Sequence, residues 1–279
     1  MIEDSKKIFW LEKFEALFIE GEDSKRFLNG ITTTNINLER KFIQTCWLTP
    51  KGILRALLEI HFYADKLLLI TLEGNIKEIK DFLEDMIFPS DKVDLSDHFP
   101  LFRIQEIDEN ISWRDFYPKL FLKEDPLEYC SDNNINLIEP NNLLTWKIKQ
   151  SIPRLNYEID GNNNPLELGL YDLIDFNKGC YLGQESMARL NKISALKQEI
   201  RFWSANISDP NFKLINKKIY LSKDKKQVSG YITSNYLVNS REIIGLAMIK
   251  KKNLENMMSY FNEDLGIITI KKSVGSVFF

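Results

Sequence analysis

Lys178-Gly179-Cys180-Tyr181-Leu182-Gly183-Gln184-Glu185 is the most informative stretch of the chain, and Ser186-Met187-Ala188-Arg189 continues it. Gly179 and Gly183 bracket Cys180, Tyr181 and Leu182, so the backbone can bend tightly on both sides of the thiol. From Gln184 onward the residues suit a helix, with Glu185 and Arg189 spaced as a supporting i,i+4 pair. Cys180 then precedes a helix N-terminus and stands two residues from the cation of Lys178. Both features favour a thiolate, which would serve as nucleophile, redox group or transient metal ligand. The alternative is a buried structural cysteine in a turn whose glycines serve geometry alone.

Upstream of this stretch the pattern is mixed. Phe14 to Ile19 predicts a strand ending at Gly21; Asp23 or Ser24 caps a short helix bearing Phe27 and Leu28, with Gly30 as terminator. Phe42–Leu48 and Ile53–Phe62 flank Pro50-Lys51-Gly52 as a hairpin, and Lys66–Thr71 is a further strand. Asn75–Met86 places Ile76, Ile79, Phe82, Leu83 and Met86 on one helical side. The region from Phe99 to Tyr129 alternates strand-like and charged pieces without a clear period. Asn142–Gln150 is helical and Pro153 stops it, after which Asp160–Pro165 is a loop. Beyond Ile193, short strands at Ile200–Ile207, Lys218–Leu221, Val228–Thr233, Ile243–Ile249 and Gly266–Lys271 predict a small barrel or sandwich. The expected class is α+β with a separate C-terminal β module.

Composition narrows the function. The 279 residues are 44% hydrophobic and 28% charged, as in folded domains rather than disordered chains. A formal net charge of −3 is unlike that of a protein living on a phosphate backbone, so stable nucleic-acid binding is not expected. No apolar run is long enough to span a bilayer, and the first residues lack a secretory or Arg-rich targeting pattern, giving an expected cytoplasmic location. Three cysteines (46, 130, 180) and two histidines (61, 98) offer neither a disulfide framework nor a metal set, so no metal site is expected. Cys46 and Cys130 read as buried small hydrophobes. Lys223–Lys226 and Lys250–Lys252 read as solvated loop charge.

Taken whole, the string from Lys178 to Glu185 resembles the signature of the YgfZ family of folate-binding proteins, which is related to the glycine-cleavage aminomethyltransferases. Ile19-Glu20-Gly21-Glu22-Asp23, Phe27-Leu28-Asn29-Gly30 and Thr33 resemble the family's N-terminal pattern. Trp146 with Ser151-Ile152-Pro153 resembles the segment before its signature loop; Gly230–Ser234 and Gly245-Leu246-Ala247 resemble its barrel strands. Asp91–Glu139 contributes little. The resemblance implies a three-module ring around a central folate pocket. Residues 1–40 and 100–195 would form the first module, 41–99 an inserted α+β module, and 196–279 a C-terminal small β-barrel. A monomer suffices for a closed ring.

It also implies tetrahydrofolate or a derivative as cofactor, with iron–sulfur client proteins or their assembly machinery as partners. A pterin edge presents adjacent N–H donors that a carboxylate accepts together. Glu167 stands where the related transferases place such a group. Trp146 could stack on the ring system, or be core; Lys178 and Arg189 are candidates for the glutamate tail, although Arg189 also has Glu185 to pair with. The expected role is an accessory protein for iron–sulfur enzymes that depends on Cys180. One alternative is a folate-dependent aminomethyltransferase, but Arg55 and Ala56 occupy the positions of the transferases' catalytic acid pair. Another is a tRNA-modification factor. A single cysteine cannot hold a stable cluster, which normally takes four ligands, so none is expected in the isolated chain.

Overall fold

The computed structural model describes residues 8–37, 40–107, 110, 112–114, 120–122, 124, 126–190, 196–207, 214–254 and 259–278. The chain divides into two compact units. The first comprises Met1–Asp108, Arg114–Ile138 and Asp172–Arg189; the second comprises Glu109–Trp113, Glu139–Tyr171 and Leu190–Phe279.

The first unit is built on one antiparallel sheet. In chain order its elements are β1 (Ile8–Glu20), α1 (Ser24–Ile31), β2 (Phe42–Leu48), β3 (Leu54–Phe62), β4 (Lys66–Glu73), α2 (Ile76–Met86), β5 (Asp94–Leu95), β6 (Phe99–Ile107), β7 (Leu120–Leu122) and α3 (Leu127–Asp132). The chain then supplies α4 (Pro140–Lys149) to the second unit and returns for α5 (Gln184–Leu190). The sheet order is β2-β3-β4-β1-β6-β7, with β5 also on β1. The expected boundaries at 40/41 and 99/100 both fall inside this unit, and its sheet takes strands from either side of each.

The β2–β3 hairpin forms as its sequence requires. Pro50 and Lys51 occupy the turn, and Gly52 adopts φ +77°, open to glycine at little cost. The Asn75 side chain caps α2, accepting from the N–H groups of Lys77 and Glu78 at 3.0 and 3.4 Å. Two expectations change at α1. The helix runs through Gly30 to Ile31, because Thr32 takes the extended conformation that ends it. The Asp23 side chain makes no cap bond to the helix, since it accepts from Lys92 N–H and Arg26 instead.

One face of the sheet buries Leu17, Ile19, Ile43, Trp47, Leu58, Ile60, Leu67 and Leu69 against α1 and α2 residues such as Leu28, Ile79 and Leu83. The other face buries Phe14, Ala16, Leu68, Ile70 and Leu101. Burial of this extent, near 25 cal/mol per Å² of apolar surface, is what pins the register.

In the second unit, β8 (Gln198–Asn206), β9 (Lys218–Tyr220), β10 (Val228–Asn239), β11 (Glu242–Lys250), β12 (Ser259–Asn262) and β13 (Gly266–Lys271) close into a barrel of order β10-β11-β8-β13-β12-β9. Trp203, Ile219, Ile232, Ala247, Tyr260 and Ile268 fill it. Closure leaves no free sheet edge. The expected α+β class and C-terminal barrel are therefore both present. Strand β12 is not expected from the sequence, and β10 runs six residues past its expected end at Thr233 in a polar and bulged continuation.

Candidate functional site

In the first unit the stretch around Cys180 forms a loop fastened at both ends. Asp175 accepts from the N–H groups of Asn177 and Lys178 at 2.8 and 3.1 Å, and its own N–H donates to Thr33 O at 2.9 Å. Leu182 N–H donates to Gly30 O at 3.1 Å. The Gln184 amide closes the loop by donating to Lys178 O at 3.2 Å. Gly183, at φ +84°, then starts α5, and its missing side chain lets the loop approach the β2–β3 turn.

Lys178 is turned inward. Its ammonium donates to the carbonyls of Thr32 and Thr34 at 2.7 and 2.9 Å and lies 5.3 Å from the Tyr181 ring. Burial pulls its pKa down to about 8, while Asp175 opposes the change. The side chain thus ties the loop to the segment after α1. Tyr181 packs beside it with a buried hydroxyl that has no hydrogen-bond partner among the described residues, and burial pushes that phenol up.

Cys180 stands at the surface of this fastened loop, whereas Cys46 and Cys130 are buried as expected. Burial pushes the Cys46 thiol up to about 12. The fold therefore holds two cysteines back as inert thiols and presents the third. Glu185 and Arg189 form their i,i+4 ion pair at 2.6 Å with both side chains largely exposed, a contact worth little in water.

The remaining candidates, Glu167 and Trp146, lie in the second unit. Glu167 belongs to a local polar cluster. Its N–H donates to Asn164 Oδ1 at 3.0 Å, Asn164 N–H reaches back to its carboxylate at 3.5 Å, and its carbonyl accepts from Ile200 N–H at 2.8 Å. Burial raises its pKa, opposed by Asn164, Gln198 and Lys197. Gln198 also donates to Asn163 Oδ1 at 3.3 Å, and Tyr231 interacts with Gln198 and Asn163. A half-buried carboxylate among neutral amides has acceptor capacity for a paired N–H donor. Trp146 lies on α4 with 2% of its surface exposed, the position of a core residue.

Two groups escaped the sequence reading. Glu158, fully buried in the second unit, accepts from Thr233 and Ser234 hydroxyls at 2.6 and 2.8 Å, and burial raises its pKa. In the first unit, Glu59 is wholly buried with Gln44, His61 and Arg103 around it at 2.7 to 3.3 Å. Period-2 patterning gives the strand of Glu59 but no sign of its partners on other strands, and Glu158 lies in a turn between α4 and β8 where no such pattern exists.

Arg55 and Ala56 sit at the start of β3. Arg55 is exposed and pairs with Glu78 at 3.3 Å; Ala56 is fully buried. Neither offers a carboxylate. Among the described residues there is no cluster of three or more His, Cys, Asp or Glu suited to a metal, and no helix long and apolar enough to cross a membrane.

Comparison with known proteins agrees with the resemblance. No family model matches the chain. A chloroplastic protein of Arabidopsis thaliana described as a transferase is 23% identical over 93% of this chain and 69% of its own length. The tRNA-modifying protein YgfZ of Colwellia psychrerythraea is 22% identical, over 72% of each. Among solved structures, the glycine cleavage system aminomethyltransferase T from Bartonella henselae superposes with a TM-score of 0.71 over 99% of this chain and 89% of that one, at 11% identity. The chain is thus related to YgfZ proteins and has the fold of the aminomethyltransferases.

Proposed function

We propose that the chain is a folate-binding accessory protein that supports assembly or repair of iron–sulfur enzymes, with Cys180 as its working thiol. The observation that carries this reading is the contrast among the cysteines: two are buried, and Cys180 is presented on a loop tied down by Lys178, Gln184 and Gly183. A merely structural cysteine has no need of an exposed, braced position.

Fit to a folate is supported by Glu167, whose carboxylate is partly desolvated and retains acceptor capacity for the N–H pair of a pterin edge. The other folate contacts considered from the sequence gain less support. The Lys178 ammonium serves two carbonyls, Arg189 serves Glu185 at the surface, and Trp146 has no open face. The folate would supply a one-carbon carrier, while the chain's own residues orient it and present a thiol.

Two experiments test the reading. Tetrahydrofolate binding by the full chain should weaken by about ten- to a hundredfold in Glu167→Gln, the scale of a lost charge-assisted hydrogen bond. In a bacterial strain lacking its own relative, wild-type protein should restore a cluster-dependent tRNA-thiolating activity, and Cys180→Ser at matched expression should not. Equal rescue by both proteins would sink the thiol's role, and unchanged folate affinity would remove Glu167 from the site.

A transferase reading is weakened by Arg55 and Ala56, which leave no carboxylate at the start of β3. A direct tRNA-binding role has the name of a relative behind it and the net charge of −3 against it.

A further inference from the structure

A cavity of about 560 Å³ opens in the first unit at the start of β2. That is within the range of small-molecule sites, roughly 300–1,000 Å³. Its walls come from three stretches distant in sequence: Thr34 and Arg40 to Gln44 on one side, Arg114 with Asp172 and Leu173 on the other. Among the described residues, the lining sets Arg40, Lys41 and Arg114 against one carboxylate, Asp172, an excess of two formal positive charges. This reverses the sign of the whole chain, whose net charge is −3. Asp172 is itself bound by the buried Arg114 at 2.6 Å.

The walls are preformed. The Thr34 hydroxyl lies 2.8 Å from both Gln44 O and Leu173 O and shares its single proton between them, stitching the two sides together. Thr34 O accepts from the Lys178 ammonium at 2.9 Å, which fixes the same wall to the loop of Cys180. The Gln44 amide is anchored on the buried Glu59 at 3.1 Å, and the Phe42 ring stacks on His61 at 5.3 Å. A rigid, basic recess costs little ordering on binding, and its field concentrates anions.

We propose that this cavity is a binding site for a small, multiply charged anion, bearing carboxylate or phosphate groups, that engages Arg40 and Lys41 at the mouth. The lining residues all belong to the first unit, and Glu167 belongs to the second.

The test titrates the full chain at low ionic strength with citrate and, separately, with pyrophosphate, by calorimetry. Saturable binding is expected for at least one probe, and preference between the two assigns carboxylate or phosphate as the recognised group. Arg40→Glu/Lys41→Glu should lose affinity at least about tenfold, as reversal of two contact charges requires. Lys223→Glu/Lys226→Glu, exposed in the barrel, should keep it. Arg40→Gln, a neutral change at an exposed side chain, should show a smaller loss in the same direction. Failure of wild type to bind either probe, or equal loss in the barrel variant, would overturn the proposal.

Discussion

A Cβ placed on Gly183 would lie 2.7 Å from the carbonyl oxygen of Thr49, because the loop of Cys180 and the β2–β3 turn meet backbone to backbone. Gly52 completes the contact: its own Cβ would lie 2.6 Å from Met187 Cε and 2.8 Å from Ser186 Cβ, and both glycines have positive φ. Gly179, four residues earlier in the same motif, has nothing within 4 Å of that position. Gly183→Ala should therefore destabilise the protein by about 1–3 kcal/mol, through the left-handed backbone and the clash, whereas Gly179→Ala should stay within about 0.5 kcal/mol. Urea midpoints for the two variants decide the matter, and equal midpoints would refute the geometry.

Lys178 gives a pH signature. Burial lowers its pKa from the usual lysine value to about 8 in the folded chain. The unfolded chain then binds more protons between about pH 8 and the ordinary lysine value, so this group's contribution to stability rises with pH across that window. Lys178→Met removes both the titration and the two hydrogen bonds to Thr32 and Thr34. The variant should be less stable at pH 7 by about 1–3 kcal/mol, the cost of orphaning buried acceptors. Its stability between pH 8 and 10 should lack the wild type's added upward trend. Parallel pH profiles for the two proteins would show that the ammonium is not desolvated in the folded state.

Much of this site could be read from residue types, and the limits of that reading have physical causes. The helix after Gly183, the hairpin at Pro50–Gly52 and five of the six barrel strands follow from local glycine, proline and alternation signals, and each of these is present. The buried state of Cys46 and Cys130 also follows from the general tendency of free cysteines to pack as small hydrophobes. Lys178 was harder, because a lysine two residues from a cysteine looks like its electrostatic partner. Its real partners, the carbonyls of Thr32 and Thr34, lie about 145 positions away and carry no side-chain signature. The cavity at Arg40–Gln44 was invisible for the same reason: Arg114 and Asp172 join it only through the fold.

Glu59 and Arg103 show the same blindness at greater cost. They sit on β3 and β6, are 0% and 2% exposed, and meet at 3.2 Å. Burial alone would push the Glu59 carboxyl up; Arg103, His61 and Gln44 outweigh it and hold the group below the usual carboxylate range. Its contribution to stability is present above that range and is lost as pH falls through the folded value. Arg103→Met, which strands the buried carboxylate, should cost about 3–5 kcal/mol at pH 7, and the double variant Arg103→Met/Glu59→Gln should recover a large part of that. Chemical denaturation of the two variants measures the difference, and additive losses would mean that the pair is not coupled.

The thiols give the most direct reading of how the fold uses its cysteines. Cys180 is exposed, while Cys46 and Cys130 are buried, and burial drives the Cys46 thiol up to about 12. Attack on a disulfide reagent needs both access and thiolate. At pH 8 the native protein should release one equivalent of chromophore quickly from an aromatic disulfide reagent, followed by slow phases, with all three cysteines reacting once the chain is unfolded. Cys180→Ser should abolish the fast phase while leaving the urea midpoint within about 0.5 kcal/mol of wild type, as expected for a surface substitution. A fast phase that survives in Cys180→Ser would mean that Cys46 or Cys130 opens to solvent. A large loss of stability in that variant would instead make Cys180 a packing residue, and the exposed thiol could no longer carry the function assigned to it.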